Sequence, residues 1–222
     1  MRGRFITFEG GEGTGKSTQA RLLAERLRAH GIDVTLTREP GGSTGAEAIR
    51  HVLLSGVVKP FGADAEAILF AAARSDHVLC VIEPALQAEE WVLCDRFADS
   101  TRVYQGVLGS VDPRLIRALE RIAVAKTRPD LTIVLDLPVS VGLARAAQRR
   151  GTASSDRFES EAAEYHERLR AAFQDLAAQE PERCRRVNAS GEPHEVAEII
   201  WRVIEQRFSL ARRQGATAEA VS

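Results

Sequence analysis

Residues Gly10-Gly11-Glu12-Gly13-Thr14-Gly15-Lys16-Ser17 fit the pattern G-x-x-x-x-G-K-[ST], with Thr18 directly after it. Glycines let successive backbone N–H groups wrap phosphate oxygens in an anion-binding nest. Lys16 then reaches the β- and γ-phosphates, and the Ser17 hydroxyl is placed to ligate Mg²⁺. At average glycine usage, a chain of this length meets the pattern by accident on the order of one time in a hundred. The chemistry these residue types support is the binding of a nucleoside triphosphate.

Elements of two kinds must hold such a loop. Before it, Arg4-Phe5-Ile6-Thr7-Phe8-Glu9 is apolar and β-branched enough to predict a buried strand. After it, Leu22, Leu23, Arg26, Leu27 and His30 recur at helical spacing, and Gly31 is a stop signal. A strand, a glycine loop and a helix N-terminus together supply the partial positive charge that a phosphate needs. The same alternation continues along the chain. Strands are predicted at Phe5–Phe8, Val34–Thr37, Trp91–Cys94, Leu131–Leu135 and Arg186–Asn188. Helices are predicted at Lys16–His30, Ala46–Leu54, Ala65–Ala88, Pro113–Ala125, Val139–Arg149, Glu161–Ala178 and Val196–Phe208. Thr44-x-x-Glu47 reads as a capping box, and Asp112-Pro113 places a cap residue before a first-turn proline. This pattern predicts an α/β fold with a mainly parallel sheet covered by helices on both faces. The small polar run Gly151–Asp156 reads as a loop. Residues 1–208 read as one domain, and the tail Ser209–Ser222 has little to bury.

Composition narrows the function classes. The 222 residues carry a net charge of −1, which argues against a general nucleic-acid or membrane-surface binder. Lysines are only Lys16, Lys59 and Lys126, and one of the three sits in the phosphate loop. Cys80, Cys94 and Cys184 are odd in number and lack C-x-x-C spacing, which fits a reducing cytosol rather than a disulfide framework or zinc site. No leader pattern and no apolar run long enough for a membrane span is present, so the expectation is a cytoplasmic protein.

A phosphate loop alone does not distinguish kinases, GTPases, motors and transporters. No Asn-Lys-x-Asp guanine reader is found. Arginines instead recur at strand and loop ends: Arg38 after the second strand, Arg96 in Cys94-Asp95-Arg96, and Arg149, Arg150 and Arg157 around the small-residue loop. Ligands of parallel α/β sheets bind outside the carboxyl ends of the strands. Lys16, Arg38 and Asp95-Arg96 are thereby aimed at one crevice. Cations in that number suit a transferring phosphoryl group beside a second phosphate.

With these blocks in view, the chain resembles the thymidylate kinases, a family of nucleoside monophosphate kinases, from about Arg4 to Arg207. The resemblance rests on Phe8–Thr18, Thr37-Arg38-Glu39-Pro40-Gly41-Gly42, Leu69-Phe70-Ala71-Ala72-Ala73-Arg74, Asp95-Arg96-Phe97-Ala98-Asp99-Ser100 and Tyr104-Gln105-Gly106, with Arg128-Pro129-Asp130-Leu131 before the fourth strand. It implies a three-layer P-loop NTPase fold with a five-stranded parallel sheet and a short lid at about 149–158. It also implies ATP-Mg²⁺ as donor, dTMP as acceptor and a homodimer, for which the apolar helices around Ile68–Ala73 and Leu115–Val124 are the candidate surfaces. In this reading Gly10–Thr18 hold ATP, with Ser17 and Asp95 supporting Mg²⁺. Phe70 stacks on the base and Arg74 hydrogen-bonds a thymine carbonyl. Ser100, Thr101 and Gln105 join the acceptor site, and Tyr104 crowds the sugar 2′ position. Arg38 and Arg96 hold the acceptor phosphate, with Arg50 as a further contact, and Glu12 faces the sugar 3′-hydroxyl. No basic residue occupies the variable loop positions 11–14, so the resemblance is to the members whose catalytic cation comes from the lid, here Arg149, Arg150 or Arg157. The competing readings are a kinase of another monophosphate or deoxynucleoside, and a non-catalytic nucleotide-binding protein on the same scaffold.

Overall fold

The structure, a computed structural model, describes residues 2–150 and 161–210. Most of the expected lid, Arg157 included, and the tail beyond Leu210 lie outside the described residues. Five parallel strands, β1 (Phe5–Glu9), β2 (Val34–Arg38), β3 (Trp91–Asp95), β4 (Leu131–Asp136) and β5 (Cys184–Asn188), form one sheet in the order β2-β3-β1-β4-β5. The register pairs Phe8 with Asp95 and Ile133, so the carboxyl ends of β1, β3 and β4 finish together. That shared edge carries the phosphate loop.

Period-two alternation sorts the strand side chains between two helical layers. Ile6 and Phe8 pack with Leu93, Ile133 and Leu135 against α1 (Lys16–Ala29) and α9 (Pro193–Phe208), which contribute Leu23, Leu27, Ile200 and Trp201. Phe5 faces the opposite way with Val92 and Cys94, under Val78, Ile82 and Leu86. The same side is completed by α8 (Ala163–Gln179), whose Leu169 and Phe173 pack with Tyr104 and Val134. The architecture is the predicted three-layer arrangement with a five-stranded parallel sheet.

Local structure departs from expectation in three places. The predicted helix over Ala65–Ala88 is α3 (Gly62–His77), a π-helical turn (Val78–Ile82) and α4 (Glu83–Gln87) in unbroken succession. The predicted capping box is not made. Helix α2 (Thr44–Leu54) starts after Ser43, and Glu47 instead accepts from the Gly42 N–H at 2.9 Å and pairs with Arg38. Asp76 takes over the cap, receiving the Ser43 hydroxyl and the Ala46 N–H. Third, Ala98–Leu108, for which no element was predicted, is helical: α5 (Ala98–Thr101) runs on as a π-helix (Arg102–Leu108). By contrast, the Asp112-Pro113 signal opens α6 (Pro113–Ala123) as expected, with the Asp112 carboxylate accepting from the Arg114 N–H.

Candidate active site

The phosphate loop joins β1 to α1 and is shaped by backbone that only glycine tolerates. Gly13 has φ +66°, and a Cβ there would lie 1.9 Å from the Gly142 carbonyl oxygen in α7 (Val139–Arg150). Lys16 is 7% exposed and its ammonium donates to the Gly10 and Gly11 carbonyls at 3.1 and 2.7 Å. Burial and the neighbouring Arg96 pull its pKa down to about 8, against the raising effect of Glu12 and Asp95. The Ser17 hydroxyl donates to the Asp95 carboxylate. Two hard oxygen groups side by side at the loop mouth fit a Mg²⁺ ion that takes its remaining ligands from water and phosphate.

Arg96 follows β3 at φ +68°, a left-handed conformation that costs a non-glycine residue roughly 1–3 kcal/mol. Its N–H is tied to the Phe8 carbonyl, which fixes the turn. The guanidinium thereby points back across the loop, donating to Gly10 O and Ser100 Oγ at 3.2 Å and to Glu12 Oε1 at 2.6 Å. Tyr104 donates to the same Glu12 oxygen at 3.0 Å. Burial by itself would raise the Glu12 carboxyl, but Arg96 and Lys16 overcome it and hold the pKa near 2. An acidic residue inside an anion-binding loop is thus neutralised from both sides.

The helix that follows depends on a residue for which no role was predicted. Glu9, the last residue of β1, is buried and accepts from the Phe97 N–H at 2.8 Å, the Ser100 N–H at 3.2 Å and the Ser100 hydroxyl at 2.6 Å. It caps α5 across the sheet. Burial, with Asp99 close by, pushes its pKa up to about 7. Asp99 is gripped by both terminal nitrogens of Arg183 at 2.6 and 3.0 Å. The only sequence signal for Glu9 was an acidic residue ending an otherwise apolar strand.

One cavity of about 390 Å³ opens at the carboxyl ends of β1, β2 and β3. From the phosphate loop it is lined by Glu12, Gly13, Gly15, Lys16, Ser17 and Thr18; Asp95, Arg96 and Ser100 form its floor. Its far wall holds Phe70 and Arg74 from α3 with Thr101, Tyr104 and Gln105 from the helix after β3, and Arg38, Arg50 and Arg149 stand at its rim. Gly10, Gly11 and Thr14 line a smaller space behind the loop instead. The sequence-predicted residues are therefore brought together, except that nothing is described for Arg157 or the Arg150 side chain. Arg74 is 3% exposed, with Nε on Glu39 at 2.8 Å and Nη2 on Phe97 O and Thr101 Oγ1. Arg38, half exposed, is held by Glu47 at 2.7 Å.

The arrangement joins a triphosphate loop to a pocket with an aromatic ring, a buried guanidinium and several cations between. Comparisons with known proteins agree with it. A family model described as Thymidylate kinase matches residues 8–200. A thymidylate kinase of Rhodopseudomonas palustris is 59% identical over 217 residues, covering 97% of this chain and 94% of that protein. One of Bradyrhizobium diazoefficiens is 58% identical, covering 93% and 91%. The crystal structure of thymidylate kinase from Ehrlichia chaffeensis superposes with a TM-score of 0.74 at 31% identity, covering 92% of this chain and all of that one. With the loop, the arginines and the base-sized pocket in one cleft, the chain belongs to the thymidylate kinase family.

Proposed function

We propose that the chain transfers the γ-phosphoryl group of ATP to dTMP, giving dTDP and ADP on the route to dTTP. The observation that carries this reading is the single cavity bounded by the phosphate loop at one end and by Phe70 and Arg74 at the other. An acceptor phosphate oxygen is already anionic and attacks the γ-phosphorus in line while the bond to the β-phosphate oxygen breaks, so no strong general base is needed. Catalysis then rests on positioning and on charge. Lys16 holds the β- and γ-phosphates, and Arg96 spans from the loop toward the acceptor phosphate, which Arg38 and Arg50 approach from the rim. Glu12 is set to receive the sugar 3′-hydroxyl, and Tyr104, pinned on Glu12, closes the space a 2′-hydroxyl would fill. Arg149 is the described arginine of the expected lid that lines the cavity, and the candidate for the cation that meets the developing charge. Ser17 and Asp95 would hold Mg²⁺, which supplies charge neutralisation on the phosphate oxygens when bound.

Coupled ADP release with ATP-Mg²⁺ and dTMP, dUMP, UMP, CMP, AMP and GMP in turn tests the reading. Activity centred on dTMP, with dUMP weaker, is expected. Strong activity on another acceptor would overturn the base-site roles, and ATP binding without any acceptor-dependent turnover would make the protein a non-catalytic binder. Phe70→Ala removes the stacking face and is expected to raise KM for dTMP about tenfold, with kcat changed far less, the scale of one lost stacked base. Equal KM in the variant and parent would remove Phe70 from the base site.

Lys16 also predicts a pH dependence. Its folded pKa of about 8 lies below the ordinary lysine value, so the cation is present below that pH and is lost as pH rises through it. The value of kcat/KM for ATP, which reports the free enzyme, is expected to fall above about pH 8. Bound triphosphate favours the ammonium, so the fall in kcat moves to higher pH. Coincident alkaline limbs in both profiles would contradict this assignment.

A homodimer is supported by the outward faces of α3 and α6, where Ile68 is 50% and Ile122 72% exposed although Ala67, Ala71 and Ile116 are buried. The free cysteines fit a cytoplasmic protein, and among the described residues no helix is long and apolar enough to cross a membrane.

A further inference from the structure

His77, the last residue of α3, does not line the cavity and is fully buried. Its ring sits in a chain of hydrogen bonds that ends on the nucleobase wall. Nδ1 lies 3.1 Å from Glu39 Oε1, and Nε2 lies 2.7 Å from Thr37 Oγ1. The other oxygen of Glu39 takes the Arg74 Nε–H at 2.8 Å. Glu39 is nearly as buried as the ring, so its carboxylate must be satisfied inside the protein. A carboxylate only accepts, which places the Nδ1 proton on the side of Glu39 and leaves Nε2 to the Thr37 hydroxyl.

We propose that His77 is a positioning residue for acceptor-base selection: by holding one oxygen of Glu39, it fixes the Arg74 guanidinium with an N–H edge turned into the cavity. Arg74 Nε is taken by Glu39 Oε2, and Nη2 by the Phe97 carbonyl at 3.2 Å and Thr101 Oγ1 at 3.0 Å. Among the described residues Nη1 has no protein acceptor, and it belongs to a side chain that lines the cavity. The Cζ lies 5.2 Å from the Phe97 ring centroid, which restricts the guanidinium plane. Without the His77 bond both Glu39 oxygens become available to Arg74, and a carboxylate with two free oxygens draws a guanidinium into a bidentate pair. That pairing pulls Nη2 from Phe97 and Thr101 and turns the free edge away from the base.

Selectivity follows from the donor-only character of arginine. Thymine offers a carbonyl acceptor at C4, whereas cytosine offers an amino donor there. A fixed Arg74 therefore favours dTMP over dCMP, and a loosened one discriminates less. The local backbone has grown around the ring: Gly42 sits at φ +90°, where a Cβ would lie 2.5 Å from both His77 Nε2 and Thr37 Oγ1. His77 thus touches the turn after β2 as well as Glu39, and the test has to separate the two contacts.

This inference rests on the base lying between Phe70 and Arg74, and steady-state kinetics with dTMP and dCMP test the two separately. In His77→Gln the amide reaches toward Thr37 and no longer toward Glu39. It is expected to raise KM for dTMP about tenfold and narrow the dTMP-to-dCMP ratio of kcat/KM about tenfold, the scale of one lost buried hydrogen bond. The kcat with dTMP and the KM for ATP should stay within about twofold. His77→Asn, whose amide nitrogen stands where Nδ1 does, should restore most of the selectivity. An unchanged ratio in His77→Gln while Arg74→Ala lowers it would overturn the role of His77 alone. An unchanged ratio in Arg74→Ala would overturn the base placement and the inference with it. Equal losses toward ATP and both acceptors would mean that the ring only supports the fold. Should His77→Gln fail to accumulate folded, Thr37→Val frees the ring from its outer partner. The ratio is then expected to narrow about threefold, and an unchanged ratio would count against the inference.

Discussion

Arg96→Ala is expected to lower kcat with dTMP by about a hundred- to a thousandfold, the effect of removing one preorganised donor from developing charge. The side chain earns this by position. A left-handed turn at the end of β3, locked by its N–H on Phe8 O, sends the guanidinium across the loop to Gly10 and Ser100. Its third contact, Glu12, adds a second consequence. With Arg96 gone, that carboxylate loses its direct ion pair and keeps Lys16, Tyr104 and Arg149 nearby, and its charge lies where phosphates must enter. KM for both nucleotides should rise together with the fall in kcat. Arg96→Lys keeps the charge but not the planar fork, and should recover no more than about a tenth of the lost rate. Single-turnover rates of the two variants decide the matter: near-normal turnover in Arg96→Ala would remove the residue from the transition state.

Lys16→Ala is the second large effect, with kcat again lower by about a hundred- to a thousandfold and ATP affinity reduced. The acceptor end of the cavity is formed by other elements, so dTMP binding measured alone should change little. Folding gives the control. Lys16 is buried and its pKa is depressed below the unfolded value, so the protonated ammonium is disfavoured in the folded protein. Stability from this group is absent at neutral pH and is gained only as pH rises from about 8 toward the ordinary lysine range. Thermal unfolding of Lys16→Ala should therefore show no loss of Tm, which separates a chemical defect from a folding defect. A variant that lost activity in step with Tm would contradict this account.

The legible parts of the protein share a physical property: their information is local. The phosphate loop is eight consecutive residues whose glycines are demanded by their own backbone, as at Gly13. The strands could be read because each of β1, β3 and β4 is buried on both faces and so is an apolar run. Asp112 caps α6 through its neighbour two residues on. The helix over Ala98–Leu108 was not legible, since Val103, Tyr104, Gly106 and Val107 are poor helix formers. Glu9, about ninety residues earlier, caps it, and Arg183 grips its Asp99. The predicted capping box failed for a related reason, because Asp76 from α3 took the cap and released Glu47 to the Gly42 turn and Arg38.

By itself the sequence determined the phosphate-loop pattern, the parallel α/β plan and, through its motif blocks, the family. Each of these is written in adjacent residues or in a short period, where sterics and burial act on neighbours. Tertiary structure alone decided how Arg96, Glu12 and Tyr104 neutralise one another. It also decided that Glu9 caps the helix after β3 and that His77 reaches Arg74 through Glu39. Hydrogen bonds between buried charges depend on distance and direction across elements, and those are fixed only when the sheet and its two helical layers pack.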